Sequence, residues 1–348
     1  MKTIYKPIKF PKDGGKHNHM IEWWYFNGHL KDKKGNIYSF MNCLFKVDVK
    51  KIGIPFANEV PFKNFYFAHS IVSDIKKKKT DWDIKKAVLI SKDSFKRPLL
   101  FVNYTDPVPV HGYENSVMEE TTLFNFRIKN NNLDLNLKSN KKPLFESGNG
   151  FPSLCGNKTF YYSLTNMEAS GIIVMNGKEI EVSGKAWMDH QWTNSPGFSQ
   201  DKWNWFSIQL DNNTEIVCAE YISGDKRDYW VDIVYPNGKQ EHLKNFNLKP
   251  SKVWQSKKTK EKYPLQWEIE IPATNKRKKI NLSVSALIKD QEIYAGGLVK
   301  YWEGPTEISG IFDGKKVKGK GFMEIVGHIS SYGVYSFDEL KKAVVAFF

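Results

Sequence analysis

The segment Val182-Ser183-Gly184-Lys185-Ala186-Trp187-Met188-Asp189 recurs later in the chain as Val317-Lys318-Gly319-Lys320-Gly321-Phe322-Met323-Glu324. A second pair of segments is also similar, because Trp23–Leu30 (WWYFNGHL) resembles Trp203–Leu210 (WNWFSIQL). Two copies are fewer than the three or more that a solenoid needs to bury a continuous core. The repeat therefore predicts two similar closed domains, residues 1–190 and residues 191–348, with their junction near residues 190–202.

The dominant periodicity is two, which is typical of β-strands. In the segment 203–210, Trp203 and Trp205 share one face while Phe206 and Ile208 share the other, so both faces are expected to be buried. Short turns without alternating helices favour antiparallel sandwiches or barrels. The fold prediction is all-β, with two antiparallel β-barrel domains.

The sequence also predicts hairpin turns, one helix and one irregular stretch. The expected hairpin turns are Lys31–Gly35, Asp211–Asn213, Pro236–Gly238 and Asp313–Gly314. Ser336 and Glu339 form a capping-box pattern before apolar residues at helical spacing, which predicts a short C-terminal helix. The stretch from Asn130 to Gly156 is rich in Asn, Lys and Gly, and is expected to be a loop, a lid or linker-like surface.

The composition indicates a soluble protein with apolar cores. The 348 residues are 41% hydrophobic, enough for two domains of ordinary size. The aromatic share of 14%, with eleven Trp residues, is high; such side chains pack cores and also line ligand cavities.

The net charge of +14 comes largely from lysine runs at predicted hairpin ends, such as Lys76–Lys79 and Lys276–Lys279. A nucleic-acid site would interleave Arg and aromatic residues along one tract, so no nucleic-acid partner is expected. Peripheral contact with an anionic membrane surface is left open. Nothing in the sequence predicts the oligomeric state.

The cysteines and the N-terminus bear on location. Cys43, Cys155 and Cys218 are far apart without CxxC spacing, which fits a reducing compartment. Residues 1–19 hold no apolar run long enough for a signal peptide, and no stretch reaches transmembrane length. We expect a cytoplasmic protein, or a secreted or periplasmic one if a leader was trimmed.

The segment Gly184–Trp192 (GKAWMDHQW) contains several candidate functional side chains, since an acid, an imidazole and two indoles lie at the end of an apolar strand. If the strand continues, Trp187 and Asp189 point to one face and His190 to the other, so Asp189 and His190 need not touch. The alternative is structural, with Asp189 capping a turn and His190 a satisfied interdomain residue.

Carboxylates within apolar strands form a second group of candidates, namely Glu22, Glu220, Glu303 and Glu324. Desolvation would raise the pKa of such a group toward the range of a general acid. Ion pairing or hydrogen bonding with backbone groups is the structural alternative.

Metal and cofactor motifs are weak. His17 and His19 form an HxH pair, but metal binding needs three or four convergent ligands, so no metal is assigned. The sequence carries no nucleophile-elbow, Walker or Rossmann glycine motif, and no cofactor is expected.

Several motifs occur in order along the chain: Glu22–Leu30 (EWWYFNGHL), Phe67–His69, Tyr161–Ser163, Gly184–Trp192, Trp203–Phe206 and Tyr301–Gly304. Together they resemble the carotenoid 1,2-hydratase and AttH-like family of double lipocalin-like proteins, from about Glu22 to His328. The resemblance implies a pair of lipocalin-like, calycin-type barrels. Characterised relatives include hydratases of acyclic carotenoids and fungal proteins that fold polyenes for Diels-Alder cyclisation.

For hydration, the expected chemistry is protonation of an alkene by a carboxylic acid, followed by capture of water by the cation. Asp189 or Glu220 is the predicted acid, and His190 the group that relays a proton or positions water. The resemblance implies catalytic roles for His190 and Trp192, with a Tyr and an Asp on a later strand, where Tyr221 and Glu220 are the nearest matches. The remaining predicted pocket residues are Glu22, Trp23, Trp24, Tyr25, His69, Tyr162, Trp187, Trp203, Trp205, Trp302 and Glu303.

One residue departs from the family pattern. The family usually has D-H-E-W, whereas this chain has Gln191, and Gln cannot exchange a proton at neutral pH. A chemical role for the Glu would mean a lost function or a changed substrate here, and a structural role would allow Gln to replace it.

Three functions are compatible with these residues. The first is a cofactor-free hydratase of an isoprenoid or other polyene, and the second is a cyclase that holds a polyene or polyketide in a reactive conformation. The third is a non-enzymatic, lipocalin-like carrier of a hydrophobic ligand, which needs the aromatic cavity but no protonated acid.

Overall fold

The computed structural model describes residues 6–51, 62–107, 115–195, 201–294 and 300–327. It forms two compact units: unit 1 comprises Met1–Pro152 and Lys158–Pro196, and unit 2 comprises Ser153–Asn157 and Gly197–Phe348. Each unit is built around an antiparallel sheet that curls into a half-barrel. The prediction of an all-β protein is confirmed.

The described chain contains two short 3-10 helices, Lys12–Gly14 and Glu146–Gly148, and 23 strands. The strands are β1 (Ile21–Asp32), β2 (Ile37–Asp48), β3 (Asn64–Asp74), β4 (Lys79–Lys85), β5 (Leu89–Ile90), β6 (Phe101–Thr105), β7 (Ser116–Thr122), β8 (Asn125–Asn130), β9 (Leu133–Ser139), β10 (Leu144–Phe145), β11 (Ser153–Leu154), β12 (Asn157–Met175), β13 (Lys178–Thr193), β14 (Lys202–Leu210), β15 (Glu215–Ser223), β16 (Lys226–Val234), β17 (Gln240–Leu243), β18 (Asn247–Gln255), β19 (Lys262–Ile271), β20 (Ile280–Ala286), β21 (Glu292–Tyr294), β22 (Lys300–Phe312) and β23 (Lys315–Val326).

The main path of the first sheet runs β4-β3-β2-β1-β13-β12-β9-β8-β7-β6-β5, and that of the second runs β17-β16-β15-β14-β23-β22-β20-β19-β18. In both sheets, the last long strand of the unit pairs with its first strand, β13 with β1 and β23 with β14. This closure brings residues from distant parts of the sequence onto neighbouring strands.

The sequence repeat is a structural repeat with identical register. The equivalent pairs are Leu30 with Gly184 and Leu210 with Gly319, then Phe26 with Met188 and Phe206 with Met323. Phe26, Met188, Phe206 and Met323 have no exposed surface, and they belong to the apolar cores of their respective units. The repeated residues therefore occupy the same positions in each half-barrel.

Gly184 is required because two strands approach closely at this position. A Cβ on Gly184 would stand 2.0 Å from the carbonyl oxygen of His29 on β1, far inside van der Waals contact. We expect Gly184→Ala to lower the free energy of unfolding by about 1–3 kcal/mol, since β1 and β13 would have to move apart. Urea denaturation measures this, with Gly15→Ala as the control, because a Cβ there would meet its nearest atom at 3.5 Å. Equal stability of the two variants would contradict the argument.

The four predicted hairpin turns are confirmed, since each lies between consecutive paired strands. The predicted irregular stretch 130–156 is partly wrong. Its residues Leu133, Leu135 and Leu137 alternate and are buried in the core, and they form β9. The predicted C-terminal helix lies outside the described residues. Among the residues that the structure describes, no helix has the length and apolar character needed to cross a membrane.

Candidate functional site

A polar cluster lies on the core-facing side of unit 1, where alternation would place apolar residues. It consists of His17, Glu22, Lys46, Tyr162 and His190, and we call it the Glu22 cluster. Strand pairing brings the members of this cluster together. His190 on β13 is opposite Tyr162 on β12 and opposite Trp24 on β1, the strand that also carries Glu22. Glu22, Lys46, Tyr162 and His190 are almost completely buried.

Glu22 is the centre of this cluster. Its Oε1 lies 2.8 Å from His17 Nδ1 and 3.0 Å from His190 Nε2, and its Oε2 accepts a hydrogen bond from Lys46 Nζ at 3.2 Å. Burial raises the pKa of Glu22, but hydrogen bonds from His17 and His190 outweigh burial and lower the pKa to about 2. Glu22 is therefore an ionised carboxylate paired with a buried ammonium.

The protonation of His190 follows from its partners. Burial lowers the pKa of His190 to about 4 despite the hydrogen bond with Glu22, so the ring is neutral at pH 7. An ionised Glu22 only accepts, so the single ring proton belongs on Nε2. The Nδ1 lone pair then faces Tyr162 Oη at 3.3 Å and accepts a hydrogen bond from the phenol O–H. The result is a hydrogen-bonded chain from Tyr162 through His190 to Glu22.

Aromatic rings surround this chain. Trp24 stacks on His190 with ring centroids 4.8 Å apart, and Trp192 stacks on His17 at 3.8 Å with the planes 4° apart. Phe160 stacks on the indole of Trp192 at 5.2 Å. Aromatic faces carry negative partial charge and attract cations, so the surroundings suit a transient positive charge.

Residues 6–20, the N-terminal segment, cover the Glu22 cluster. Trp24 Nε1 donates to the carbonyl oxygen of Gly14 at 3.1 Å, and the His17 backbone N–H donates to the Glu22 carboxylate. Phe10 packs edge-on against Tyr162 with centroids 4.8 Å apart. The segment thus supplies both a member of the cluster and an aromatic wall.

His17, Glu22 and His190 also form a group whose ligand atoms lie within 4.8 Å of one another among the described residues. Two of these separations, 2.8 Å and 3.0 Å, are the hydrogen bonds of Glu22 described above, and Lys46 Nζ already supplies a positive charge to the carboxylate. Lys46 also donates to the carbonyl oxygens of His17 and His19. The geometry is that of a hydrogen-bonded ion pair, and we assign no metal to this group.

Asp189 lies on the opposite face of β13 from His190, as the alternation predicts. Its carboxylate accepts hydrogen bonds from Tyr161 Oη at 2.7 Å, Trp187 Nε1 at 2.7 Å and Ser163 Oγ at 2.5 Å. Burial raises the pKa of Asp189 to about 6, and these three donors oppose the rise. This second polar group cannot act on the same substrate atom as His190, because the sheet separates them.

The Ser163 hydroxyl joins two buried carboxyl groups in this second group. Ser163 Oγ lies 2.5 Å from Asp189 Oδ1 and 2.7 Å from Glu146 Oε1, and it has one hydrogen to donate. Ser163 Oγ therefore donates to only one of the two carboxyls at a time. Glu146 has no exposed surface, so the two carboxyls and the hydroxyl form a buried group.

The other predicted residues of unit 1 divide between the two faces. Trp24, Tyr162 and Trp192 lie with the Glu22 cluster, whereas Trp23, Tyr25, His69 and Trp187 alternate with core-facing residues and point to the Asp189 face. Gln191 also faces this way, and its Nε2 donates to Thr159 Oγ1 at 3.1 Å. The departure from the family's Glu is therefore not within the Glu22 cluster.

In unit 2, Glu220 is an ion-paired carboxylate. Arg227 NH1 and Asn204 Nδ2 each donate to it at 2.7 Å, which matches the structural alternative raised for this residue. Tyr221 donates to Asp201 and stacks on Trp203 with centroids 6.2 Å apart.

Of the remaining predicted residues of unit 2, Trp205, Trp302 and Glu303 are buried and Glu324 is half-buried. Trp302 is a core residue without exposed surface, and its Nε1 donates to the carbonyl oxygen of Lys289 at 2.7 Å. Trp205 and Glu303 are 6% and 1% exposed. Unit 2 therefore places Glu220 in an ion pair and Trp302 in the apolar core.

The profile of the AttH-like family matches residues 3–328. The chain belongs to the AttH-like family. The resemblance predicted from the ordered motifs is thereby confirmed. The position of the Glu22 cluster, within the motifs that begin at Glu22 and end at Trp192, links it to the part of the chain that carries the resemblance.

Two curated relatives of this AttH-like protein have named activities. Kievitone hydratase of Fusarium solani subsp. phaseoli is 23% identical over 207 residues, which cover 57% of each chain. The dehydratase asqC of Emericella nidulans is 21% identical over 270 residues, covering 70% of this chain and 76% of the relative. The chain thus spans little more than half the length of the first relative.

Solved structures share the fold. A putative AttH from Nitrosomonas europaea matches with a TM-score of 0.74 at 23% identity, covering 93% of this chain and 98% of the other. Kievitone hydratase from Nectria haematococca matches with a TM-score of 0.69 at 17% identity, covering 93% and 91%. The two-unit β architecture is therefore that of known AttH-like proteins.

Sequence reasoning missed two members of the AttH-like protein's cluster. Lys46 alternates with Phe40, Asn42 and Leu44 on the core-facing side of β2, so a lysine on an apolar face was the available signal. His17 was noticed only as half of an HxH pair. Its partner Glu22 is five residues away, but the intervening chain is irregular and has no periodicity to place it.

Buried histidines predict acid sensitivity. Burial lowers the pKa of His190 to about 4 and that of His69 to about 3, and the pKa of His19 falls to about 4. Above pH 6.5 these groups are neutral in both states; below it the unfolded chain binds protons first, so their stabilising contribution is lost as the pH falls. Asp189, with a pKa raised to about 6, works in the opposite direction.

The three histidines outnumber Asp189 and Glu120, the two carboxyls of raised pKa, so the free energy of unfolding should fall between pH 6 and pH 4 by about 1.4 kcal/mol per pH unit. Urea denaturation across this range measures the slope. His69→Gln removes one titrating group. The slope of the free energy of unfolding against pH should therefore fall by the contribution of one proton, whatever the stability of this variant at pH 7. A slope of zero in the unaltered protein would contradict the burial argument.

Proposed function

We propose that this AttH-like protein is a hydratase or dehydratase that adds water to, or removes it from, a carbon–carbon double bond of a hydrophobic small molecule. The observation that carries the proposal is the buried chain Tyr162–His190–Glu22 within aromatic walls. The names of the two relatives, a hydratase and a dehydratase, support it. Both directions use one site, because hydration and dehydration pass through the same transition state.

The chain suits proton transfer to and from water. Tyr162 Oη can take a proton from water as it passes its own proton to His190 Nδ1, and the ionised Glu22 stabilises the imidazolium that forms. Burial is the largest cause that raises the pKa of Tyr162 well above its usual value, and the charge of Glu22 adds to it, so the phenol acts as a relay and not as a standing phenolate. These steps need only protein groups and water.

Comparison of equivalent positions favours unit 1 as the reactive unit. The register that aligns the repeats places Lys202 at the position of Glu22, Asn204 at that of Trp24 and Ile325 at that of His190. Unit 2 thus has an aliphatic side chain where unit 1 has its imidazole. The proposal assigns the reaction to unit 1.

The experiment is incubation of the purified protein with kievitone and, separately, with the acyclic carotenoid lycopene in water labelled with heavy oxygen, followed by mass spectrometry. Hydration is expected to add one labelled water to at least one of these alkenes. The reverse test starts from the hydrated product and looks for loss of water. Binding of both probes without a mass change would contradict the proposal and favour a carrier, and an isomer of unchanged mass would favour a cyclase.

A further inference from the structure

Glu120 on β7 is a buried carboxyl that the Tyr162–His190–Glu22 chain does not use. It is 6% exposed, and its Oε1 accepts the backbone N–H of Phe124 at 2.6 Å. Its Oε2 is buried and has no hydrogen-bond partner among the described residues. A carboxyl in this situation costs free energy unless it is protonated or serves a function.

The free oxygen of Glu120 points toward the Glu22 cluster. A Cβ on Gly14 would stand 3.3 Å from Glu120 Oε2 and 3.9 Å from Tyr162 Oη. The carboxyl oxygen and the phenol oxygen therefore both lie beside Gly14, on the side toward which a Cβ would project. Phe10 contacts Tyr162 and Phe124 edge-on, each with centroids 4.8 Å apart, so the adjoining wall is aromatic.

The charges around Glu120 favour its neutral form. Burial raises the pKa of Glu120, and the backbone N–H groups of Phe124 and Leu100 only partly oppose this. The titratable groups nearest to the same space are Tyr162, His190, Glu22 and Asp13, whose electrostatic effects meet at Tyr162. Lys46, the cation of the Glu22 cluster, is paired with Glu22, and no cation is among the groups that act on the pKa of Glu120.

We propose that Glu120 is the general acid of the reaction and acts on the double bond opposite the Tyr162–His190 pair. This inference rests on the proposed hydratase or dehydratase function. It gives unit 1 an acid and a base on the same face of the sheet, whereas Asp189 lies on the other face.

In the hydration step, Glu120 Oε2 gives its proton to one alkene carbon, the π electrons form the new C–H bond, and the neighbouring carbon becomes a cation. Water forms the C–O bond with this carbon and loses a proton to Tyr162, which passes its own proton to His190. The alcohol leaves, and return of one proton from His190 to Glu120 through Tyr162 and solvent restores the starting state.

The first test compares Glu120→Gln with Glu119→Gln. The amide introduced by Glu120→Gln keeps an oxygen for the Phe124 N–H but cannot donate an acidic proton, whereas Glu119 is the preceding residue on β7 and lies 3.7 Å from Arg97 NH1. With whichever of kievitone and lycopene is hydrated, Glu120→Gln should lower kcat by about 10²–10⁴-fold with little change in KM. Glu119→Gln should retain wild-type kcat. Wild-type kcat in Glu120→Gln would overturn the assignment.

The pH profile separates an acid from a merely structural residue. A protonated Glu120 predicts that kcat of the wild type falls as the pH rises through the pKa of this carboxyl. The residual activity of Glu120→Gln should lack this fall. Gly14→Ala provides a second variant, because its methyl group would press on Glu120 Oε2 at 3.3 Å and lie 3.9 Å from Tyr162 Oη; displacing the carboxyl should lower kcat. A fall with pH that persists unchanged in Glu120→Gln would overturn the assignment.

A readout without substrate distinguishes failure of this inference from failure of the proposed function. Infrared spectroscopy at neutral pH should show the carbonyl stretch of a protonated carboxyl that is lost in Glu120→Gln and kept in Glu119→Gln. A wild type that hydrates neither probe contradicts the proposed function, and the infrared band still tests Glu120. Absence of a band specific to Glu120 overturns the assignment whatever the probes show.

Discussion

Replacing Glu22 by Leu is expected to lower the free energy of unfolding by about 3–5 kcal/mol, because it leaves the ammonium of Lys46 buried without its counter-charge. Lys46 and Glu22 side chains are 1% and 0% exposed, with Nζ and Oε2 separated by 3.2 Å. The two carbonyl oxygens that Lys46 also contacts satisfy hydrogen bonds but do not neutralise its charge. Urea denaturation followed by tryptophan fluorescence measures the loss.

The double variant Glu22→Leu/Lys46→Met should recover most of this stability, since an apolar pair replaces the ion pair without an orphaned charge. Glu181→Gln is the matched control. It breaks an ion pair of similar length, with Lys33 Nζ at 2.6 Å, but the Lys33 and Glu181 side chains are 81% and 68% exposed and stability should barely change. Equal stability of Glu22→Leu and Glu181→Gln would show that the buried pair is not needed for folding.

Replacing His190 by Gln is expected to lower kcat by about 10²–10⁴-fold for whichever probe is hydrated, because Gln cannot accept the proton of Tyr162. KM should change little, since the aromatic walls formed by Trp24 and Trp192 remain. Single-turnover mass spectrometry separates binding from the chemical step. Tyr162→Phe should lower kcat by a similar factor, because it removes the hydroxyl that passes the proton to His190.

The control for this prediction is His242→Gln in unit 2. His242 Nδ1 also contacts a carboxylate, Asp232 Oδ1 at 2.8 Å, but it lies on β17 and outside the Glu22 cluster. Its replacement should leave kcat unchanged. If His190→Gln retained wild-type activity, the proton would have to reach water by a route that does not include the imidazole.

The sequence predicted the fold where alternation was regular and failed where composition was misleading. The strands around Trp23 and Trp203 and their turns followed directly from apolar residues at every second position. The β9 strand was missed because Asn and Lys occupy its exposed positions, and this polar content outweighed the three alternating leucines in the prediction.

The candidate site was predictable only in part, because it is assembled across strands. Strand alternation separated Asp189 from His190, and the aromatic motifs singled out Trp24, Tyr162 and Trp192. The roles predicted for these residues stay predictions. Register with β13 joins Glu22 to His190 across 168 residues of sequence, and a single sequence without paired substitutions carries no signal for such a contact.

Unit 2 serves as an internal reference for reading unit 1. Since both halves keep Leu, Gly, Phe and Met at matching register positions, these four residues are what the scaffold demands. Glu22, Trp24 and His190 have no counterparts across the pseudo-symmetry, yet the second half folds into the same arrangement without them. Comparing equivalent positions of the two units therefore identifies the residues that the architecture does not require. Introducing Glu, Trp and His at positions 202, 204 and 325 would test whether the second half-barrel can accommodate them.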